Sequence, residues 1–174
     1  MDTYKINIEG LDRELRKFPV NDKLDIAAFI MFGDIEMTEV AARELLKRVP
    51  EHDVVVTAEA KGIPLCYEMA RQGCRNYVVA RKSVKVYMGN PIGVTVNSIT
   101  TKNEQKLYLG EDDVNLLNGK RVLLVDDVIS TGESLHALEK TGANIVGRAS
   151  VLAEGDAKDR DDIIFLSELP LFFK

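Results

Sequence analysis

The sequence has few of the features that mark secreted, membrane-spanning or metal-cluster proteins. It contains no tryptophan and only two cysteines, Cys66 and Cys74, and neither has metal-ligand partners at motif spacing. Two isolated thiols are typical of a reducing compartment, so we expect a cytoplasmic protein in which both are structural. No apolar run approaches the ~20 residues that a membrane span requires, and the N-terminus lacks a secretory pattern, so no membrane partner is expected.

Basic residues are also fewer than acidic ones. The 174 residues carry 23 Lys and Arg against 28 Asp and Glu, for a formal net charge of -5. A protein that binds nucleic acid needs a basic surface to meet the phosphate backbone, so this balance argues against such a partner. The hydrophobic content of 45% and the charged content of 29% are ordinary for a globular protein. The length suits one domain with a sizeable core, which we predict over residues 1–174.

The order of apolar segments indicates an α/β fold. Short β-branched runs are typical of strands buried on both faces of a sheet. Such runs lie at residues 53–58, 76–80, 121–125 and 144–153. Amphipathic segments lie among them and predict helices at 38–49, with Thr38 as N-cap, and at 63–72, with Pro64 in the first turn. Alternating strands and helices predict a central parallel sheet with helices on both faces.

The two chain ends fit this scheme less well than the middle. We expect them to form a small cap, or hood, from about residues 1–20 and 153–174. The core of the domain would then span about residues 34–152. Within the core, two strand-like segments at 94–99 and 106–109 flank a polar stretch, which predicts a two-stranded ribbon with a mobile tip.

Residues 121–134, which read RVLLVDDVISTGES, carry the strongest chemical signal. The apolar strand ends in Asp126 and Asp127, and ligands bind parallel sheets outside the carboxyl ends of the strands. Because two adjacent carboxylates repel each other, the pair needs a compensating positive charge. Mg²⁺ often uses one or two carboxylates together with substrate phosphates. The pair therefore predicts an Mg²⁺ site at Asp126 and Asp127.

The loop after the acidic pair has the composition of a phosphate cradle. It offers hydroxyl donors, a glycine that allows close backbone approach, and free amides at the start of a predicted helix. Its residues are Ser130, Thr131, Gly132, Glu133 and Ser134. Two other interpretations remain: a receiver domain, although few residues follow Asp126 to complete its sheet, and a plain strand, turn and N-cap. Capping would account for one of these polar side chains but not for the whole run.

VLLVDDVISTGES resembles the phosphoribosyl pyrophosphate (PRPP) signature of type I phosphoribosyltransferases, in the purine branch of adenine and xanthine enzymes. AEAKGIPL at residues 58–65 lies where this family has its pyrophosphate loop. VVARK at 78–82 resembles a strand end with a basic pair, and SITTKNEQKLYL at 98–109 is similar to a flexible loop. The resemblance covers roughly residues 53–152 and implies the type I phosphoribosyltransferase fold.

The resemblance also implies a role for each segment. Asp126 and Asp127 would contact the ribose hydroxyls with Mg²⁺ nearby, and residues 130–134 would hold the 5′-phosphate. Residues expected at the pyrophosphate are Ala60, Lys61, Gly62, Arg81 and Lys82, with Lys85, Lys102 and Lys106 as further sources of positive charge. Lys82 is also expected to assist catalysis, although a solvated surface role remains an alternative for any one of the lysines.

The implied activity is the transfer of a phosphoribosyl group from PRPP to a purine base, as in purine salvage. Adenine, xanthine, hypoxanthine and guanine all remain open as acceptors, and no general acid or base can be assigned. The expected partners are PRPP, a purine base and a second copy of the chain. The alternative is a regulator that binds PRPP without turnover, although such proteins usually append a DNA-binding segment, which this sequence does not show.

Overall fold

The computed structural model describes residues 2–96, 105–130 and 141–174, which form eleven strands and three α-helices. The strands are β1 (Thr3–Ile8), β2 (Leu11–Asn21), β3 (Leu24–Ala27), β4 (Val54–Ala58), β5 (Tyr77–Ala80), β6 (Ile92–Val96), β7 (Gln105–Leu109), β8 (Arg121–Ile129), β9 (Asn144–Glu154), β10 (Ile164–Leu169) and β11 (Phe172–Phe173). The helices are α1 (Ile35–Leu46), α2 (Ile63–Gln72) and α3 (Glu111–Leu117). None of these helices has the length and apolar character needed to cross a bilayer.

The central sheet has five parallel strands in the order β10-β9-β8-β4-β5. After β4 the chain moves outward to β5 and then returns to the other side of β4 as β8. This reversal of strand order is a topological switch point, where open parallel sheets bind their ligands. The predicted parallel sheet is therefore confirmed, and its crevice lies between β4 and β8.

Both faces of the sheet are covered, as predicted. In β4, Val55 packs into a core layer with residues of α1, α2 and the chain ends, whereas Val54 and Val56 pack into a second layer. The second layer also contains Leu117 of α3 and Leu107 of the β6–β7 ribbon. Successive residues of a strand point to opposite faces, so a continuous apolar run is needed where both faces are buried.

Helix α1 begins earlier than the sequence pattern suggested. Its N-cap is Asp34, whose Oδ1 accepts a hydrogen bond from the Met37 backbone N–H at 3.1 Å. Thr38 lies inside the helix, where its hydroxyl donates to the Asp34 carbonyl oxygen at 2.8 Å. The prediction of Thr38 as N-cap is wrong because the buried side chain of Met37 extends the apolar stripe by one turn. Helix α2 spans the predicted residues 63–72.

The chain ends form a second sheet of four antiparallel strands, β1-β2-β3-β11. This sheet is the small cap expected beside the main sheet, and we keep the name hood for it. Its range differs from the predicted one, because β3 extends it to Ala27 and because β10 pairs in parallel with β9 in the main sheet. The placement of all of residues 153–174 in the hood is therefore wrong. An ion pair of 2.6 Å between Arg13 of β2 and Asp34 joins the hood to α1.

The predicted ribbon is present where the structure describes it. Strands β6 and β7 pair antiparallel from Ile92↔Leu109 to Val96↔Gln105. Of its predicted tip at 100–105, residues 100–104 lie outside the described residues, and Gln105 begins β7. The ribbon is joined to the end of β5 by two backbone hydrogen bonds of 2.8 and 2.9 Å between Arg81 and Tyr108. This contact positions the basic pair after β5.

Candidate active site

A crevice opens where β4 and β8 stop pairing. Their ladder runs from Val54↔Val122 to Val56↔Leu124, while β8 continues alongside β9 as far as Ile129. The acidic pair of β8 therefore lies beyond the last β4–β8 pair. Residues 59–62, between β4 and α2, form the other wall. The switch point thus places the acidic pair opposite the segment that sequence reasoning assigned to pyrophosphate.

The two carboxylates of the acidic pair have strongly perturbed surroundings. Asp127 is 2% exposed, and its backbone N–H donates to Oδ1 of Asp126 at 2.9 Å. Burial, together with the neighbouring Asp127 carboxyl, raises the pKa of Asp126 well above its usual value. The folded protein therefore binds a proton at Asp126 more tightly than at an ordinary aspartate, while the charge of Lys61 acts in the opposite direction.

Lys61 is the cation that faces this pair. Its Nζ lies 3.2 Å from Oδ2 of Asp127. The two groups form an ion pair but not a hydrogen bond. Among the described residues, this buried Oδ2 atom has no hydrogen-bond partner. Because Lys61 is about half exposed, its ammonium group can also reach a ligand in the crevice. The site therefore retains capacity to bind a further cation.

The backbone at Gly62 packs directly on the acidic pair. A Cβ atom there would lie 2.3 Å from Oγ1 of Thr57 and 3.0 Å from Oδ1 of Asp126. Only glycine fits this contact without movement of its neighbours. Gly62 is also the N-cap of α2, and the preceding Ala60 and Lys61 are exposed. The peptide bond between Glu59 and Ala60 is cis.

Glu59 organises the basic pair after β5. Its Oε1 accepts from Nε of Arg81 at 3.0 Å, and its Oε2 accepts from the Lys82 backbone N–H at 2.8 Å. Nη1 of Arg81 also donates to the Tyr87 hydroxyl at 2.6 Å. The Lys82 amide, and then Arg81, hold the pKa of Glu59 below its usual value. Arg81 is thus bound to protein groups, whereas the Lys82 side chain is exposed.

The other predicted site residues either lie farther along the chain or fall outside the residues that the structure describes. Ser130 is exposed directly after β8. Nζ of Lys85 donates to the Ser83 hydroxyl at 2.7 Å. Five predicted site residues fall in the ranges that the structure does not describe: Lys102, Thr131, Gly132, Glu133 and Ser134. The described site therefore brings Lys61 and Gly62, which follow Ala60 in the chain, against the acidic pair, and it links the basic pair through Glu59.

Sequence reasoning missed two carboxylates at the crevice edge, Glu59 and Glu154. Glu154 is the last residue of β9, the strand beside β8. Burial raises the pKa of Glu154, and the charges of Lys61 and Asp127 act on it in opposite directions. Both glutamates come at the carboxyl ends of predicted strands, so strand-end position was the signal that would have found them.

The chain resembles known proteins in sequence. Residues 31–170 match the family model of the phosphoribosyl transferase domain. A hypoxanthine/guanine phosphoribosyltransferase of Methanococcus voltae is 33% identical over 86% of this chain and 83% of its own length. A hypoxanthine/guanine phosphoribosyltransferase of Ferroglobus placidus is also 33% identical, over 88% of this chain and 84% of its own.

Solved structures show the same fold at lower identity. The adenine phosphoribosyltransferase of Thermoanaerobacter pseudethanolicus is 21% identical, with a TM-score of 0.71 over 88% of this chain and 95% of that one. The adenine phosphoribosyltransferase of Rhodothermus marinus is 19% identical, with a TM-score of 0.69 over 89% and 94%. Together with the switch-point crevice and its acidic pair, the family match shows that this chain belongs to the phosphoribosyltransferase family.

Proposed function

We propose that this protein transfers the phosphoribosyl group of PRPP to a purine base and releases a nucleoside 5′-monophosphate and pyrophosphate. The observation that carries the proposal is the acidic pair at the switch point, which faces Lys61 and the start of α2 across one crevice. Both cysteines are free thiols, which agrees with a cytoplasmic site of purine salvage. Relatives over more than four-fifths of the chain are named as purine phosphoribosyltransferases.

The crevice offers a place for each part of PRPP. Asp126 and Asp127 would accept hydrogen bonds from the ribose hydroxyls, and residues 130–134 would hold the 5′-phosphate. The pyrophosphate would meet the backbone of residues 60–62 and the exposed ammonium groups of Lys61 and Lys82. Arg81 is committed to Glu59 and Tyr87, so we assign it to positioning this wall rather than to the ligand.

The acidic pair also fits Mg²⁺. Two neighbouring carboxylates match the oxygen ligands that Mg²⁺ prefers, and substrate oxygens and waters would complete its shell. One of their oxygens, Oδ2 of Asp127, is buried and accepts no hydrogen bond from the described residues, although it faces Lys61. When bound, Mg²⁺ would neutralise negative charge on the pyrophosphate. Asp126 and Asp127 are the residues that would hold it.

The protein's own groups explain how the glycosidic bond would break. As pyrophosphate leaves, positive charge develops on the ribose ring, and the nearby carboxylates favour that charge. The ammonium groups of Lys61 and Lys82 favour the negative charge on the leaving group. Because the acidic pair and Lys61 already meet in the fold, they would stabilise charge where it develops.

Acceptor choice gives the direct test of this function. We expect pyrophosphate release from PRPP with hypoxanthine or guanine, at a rate at least about tenfold above that with adenine. This expectation rests on the hypoxanthine/guanine phosphoribosyltransferases that resemble the chain in sequence. The structural similarity to adenine enzymes comes with less than 25% sequence identity, so it is evidence for the fold alone. The measurement is a coupled pyrophosphate assay with hypoxanthine, guanine, xanthine, adenine, orotate and uracil. Turnover of orotate or uracil without any purine would refute a purine acceptor, and PRPP binding without turnover would support a regulator instead.

We also propose that the protein is a homodimer, because it exposes a connected apolar surface. Ile35 and Tyr67 are 73% and 51% exposed and line the same groove of about 220 Å³. The Tyr67 ring packs edge-to-face on that of Tyr77 at 5.8 Å. Contiguous apolar surface of this kind is typical of an interface, and a second copy of the chain is the common occupant.

The dimer can be tested by disrupting this surface. We expect the mass of two chains by light scattering for the wild type, and of one chain for Tyr67→Asp. Phe18→Asp, which alters an exposed aromatic residue in the hood, should leave the dimer intact. A wild-type monomer with full activity would contradict the proposal.

A further inference from the structure

The ammonium group of Lys61 fills the space in front of one oxygen of the acidic pair. Its Nζ lies 3.2 Å from Oδ2 of Asp127, and this oxygen accepts no hydrogen bond from the described residues. The oxygen is buried, whereas the Lys61 side chain is 52% exposed. Because Lys61 is the exposed partner, its ammonium group lies between this oxygen and the open crevice.

A metal ion at Asp127 would meet this ammonium group. Mg²⁺ binds carboxylate oxygens at ~2.1 Å, so an ion on either oxygen of Asp127 would lie within a few ångströms of Nζ of Lys61. Like charges at such a distance repel each other. Lys61 and a divalent ion therefore compete for the same carboxylate.

The charges around Lys61 favour the divalent ion in this competition. Burial raises the pKa of both Asp126 and Glu154, and the charge of Lys61 acts on each in the opposite direction. Together with Asp127, three carboxyl groups thus share the field of one ammonium group. A bound divalent cation supplies twice the positive charge and is often the largest local charge in such a site.

Lys61 can leave Asp127 without a change in the fold. Its side chain is exposed, while the next residue, Gly62, is buried with its backbone against Thr57 and Asp126. Lysine carries its ammonium group on a flexible four-carbon stem, so side-chain rotation moves the charge while the backbone of Gly62 stays in place. The pyrophosphate that we assign to residues 60–62 offers this ammonium group a second anionic partner beside the first.

We propose that Lys61 occupies the metal position at Asp127 in the ligand-free protein and moves to the pyrophosphate when a divalent ion takes that position. Lys61 is then a positioning residue that keeps the buried carboxylate paired until the ligand arrives. The pyrophosphate half of this inference rests on the proposed function, and the metal half rests on the geometry of Lys61 and Asp127 alone. It follows that the ligand-free protein binds a divalent ion only weakly.

The metal half is tested with Mn²⁺, which suits the same oxygen ligands as Mg²⁺ and is measured by electron paramagnetic resonance. Without PRPP, full-length Lys61→Met should bind Mn²⁺ at least about tenfold more tightly than the wild type, because the competing charge is gone. Lys61→Arg keeps that charge and should bind Mn²⁺ as weakly as the wild type. Circular dichroism verifies folding, and Lys61→Gln replaces Lys61→Met if the latter does not fold.

Two further variants locate the gain in affinity. Adding Asp127→Asn to Lys61→Met should abolish the gain, because the amide is a poorer metal ligand than the carboxylate. Lys47→Met removes an ammonium group that pairs with Glu44 at 2.7 Å, so it changes the net charge equally and should leave Mn²⁺ binding unchanged. Equal Mn²⁺ affinity in the wild type and folded Lys61→Met, or no binding by either, would overturn the proposal. A gain that persists with Asp127→Asn, or an equal gain in Lys47→Met, would also overturn it.

Calorimetry with pyrophosphate at saturating Mg²⁺ tests the other half. Lys61→Met should bind pyrophosphate at least about threefold more weakly than the wild type, because one charge-assisted contact is lost. A merely structural lysine would not move the two affinities in opposite directions, and an unchanged pyrophosphate affinity would refute the exchange. If PRPP is turned over with no base while the two affinities still move oppositely, the proposed transferase function fails and the role of Lys61 stands.

Discussion

Replacement of Asp126 by asparagine is expected to lower kcat/KM for PRPP at least about tenfold, because one charge-assisted contact is typically worth ~1.5–3 kcal/mol. Asp127→Asn should have a similar effect, since its carboxylate lies opposite Lys61 in the same crevice. Calorimetry with and without Mg²⁺ would measure PRPP binding directly. We expect Mg²⁺ to strengthen binding to the wild type more than to either variant.

The same Asp126→Asn substitution should stabilise the ligand-free protein. The pKa of Asp126 is raised in the folded state, so the folded protein binds this proton more tightly than the unfolded chain does. The stability of the wild type therefore falls as the pH rises from the unfolded pKa, about 3.9, through the raised folded pKa. Asparagine carries no such penalty. The variant should melt at least about 2 °C higher at pH 8 and lose this advantage below about pH 4.

A matched control distinguishes this effect from a general change in charge. Asp22 is an exposed aspartate in the hood, and Asp22→Asn should leave both turnover and Tm unchanged. Adding Mg²⁺ should narrow the difference in Tm between the wild type and Asp126→Asn, since a cation relieves the penalty of the buried charge. If Asp126→Asn is folded, binds PRPP like the wild type and melts at the same temperature, the acidic pair is not the ligand site.

Gly62→Ala is the second substitution for which we expect a large effect, a loss of turnover of about 100-fold. The added Cβ would lie 2.3 Å from Oγ1 of the buried Thr57 and 3.3 Å from Cα of Asp126. Either the wall of the crevice or the acidic pair must shift, and a displacement of ~1 Å at a reacting centre can cost 10²-fold in rate. Steady-state kinetics with PRPP as the varied substrate would measure the loss.

A second substitution tests whether the loss comes from this contact. Thr57→Ala removes the closest atom, so the double variant Thr57→Ala/Gly62→Ala should recover part of the turnover that Gly62→Ala loses. Recovery should be incomplete, because Oδ1 of Asp126 would still lie 3.0 Å from the added Cβ. Gly93→Ala is the control: its nearest neighbour is a Tyr108 side-chain atom at 3.3 Å, which can move. Wild-type kinetics and Tm for Gly62→Ala would contradict this account of the wall.

The sequence alone was sufficient where a local pattern has only one physical solution. The β-branched run of β4 had to lie between two apolar layers, because both of its faces are hydrophobic. Pro64 suits the first turn of a helix, where its missing N–H is not needed, and α2 begins at Ile63. Asp126 and Asp127 follow an apolar strand directly, so their place at a carboxyl edge followed from strand direction.

Where the local sequence allows more than one structure, contacts with residues distant in the chain decided which one forms. Both Asp34 and Thr38 can cap a helix, and the burial of Met37 decided between them. The strand β10 was expected in the hood, but its backbone groups pair with those of β9. No periodicity within one segment specifies its neighbour in a sheet, because hydrogen bonds between strands involve the same backbone groups in every sequence.

The working geometry of the crevice was decided by the tertiary structure. The sequence placed an acidic pair, a lysine-bearing loop and a basic pair on three separate segments, and it could not show which charges meet. Folding brings Lys61 to Asp127 and commits Arg81 to Glu59, while Lys82 stays exposed. The reason is physical: charge pairing depends on distance through space, and the switch point between β4 and β8 joins residues more than sixty positions apart in the chain.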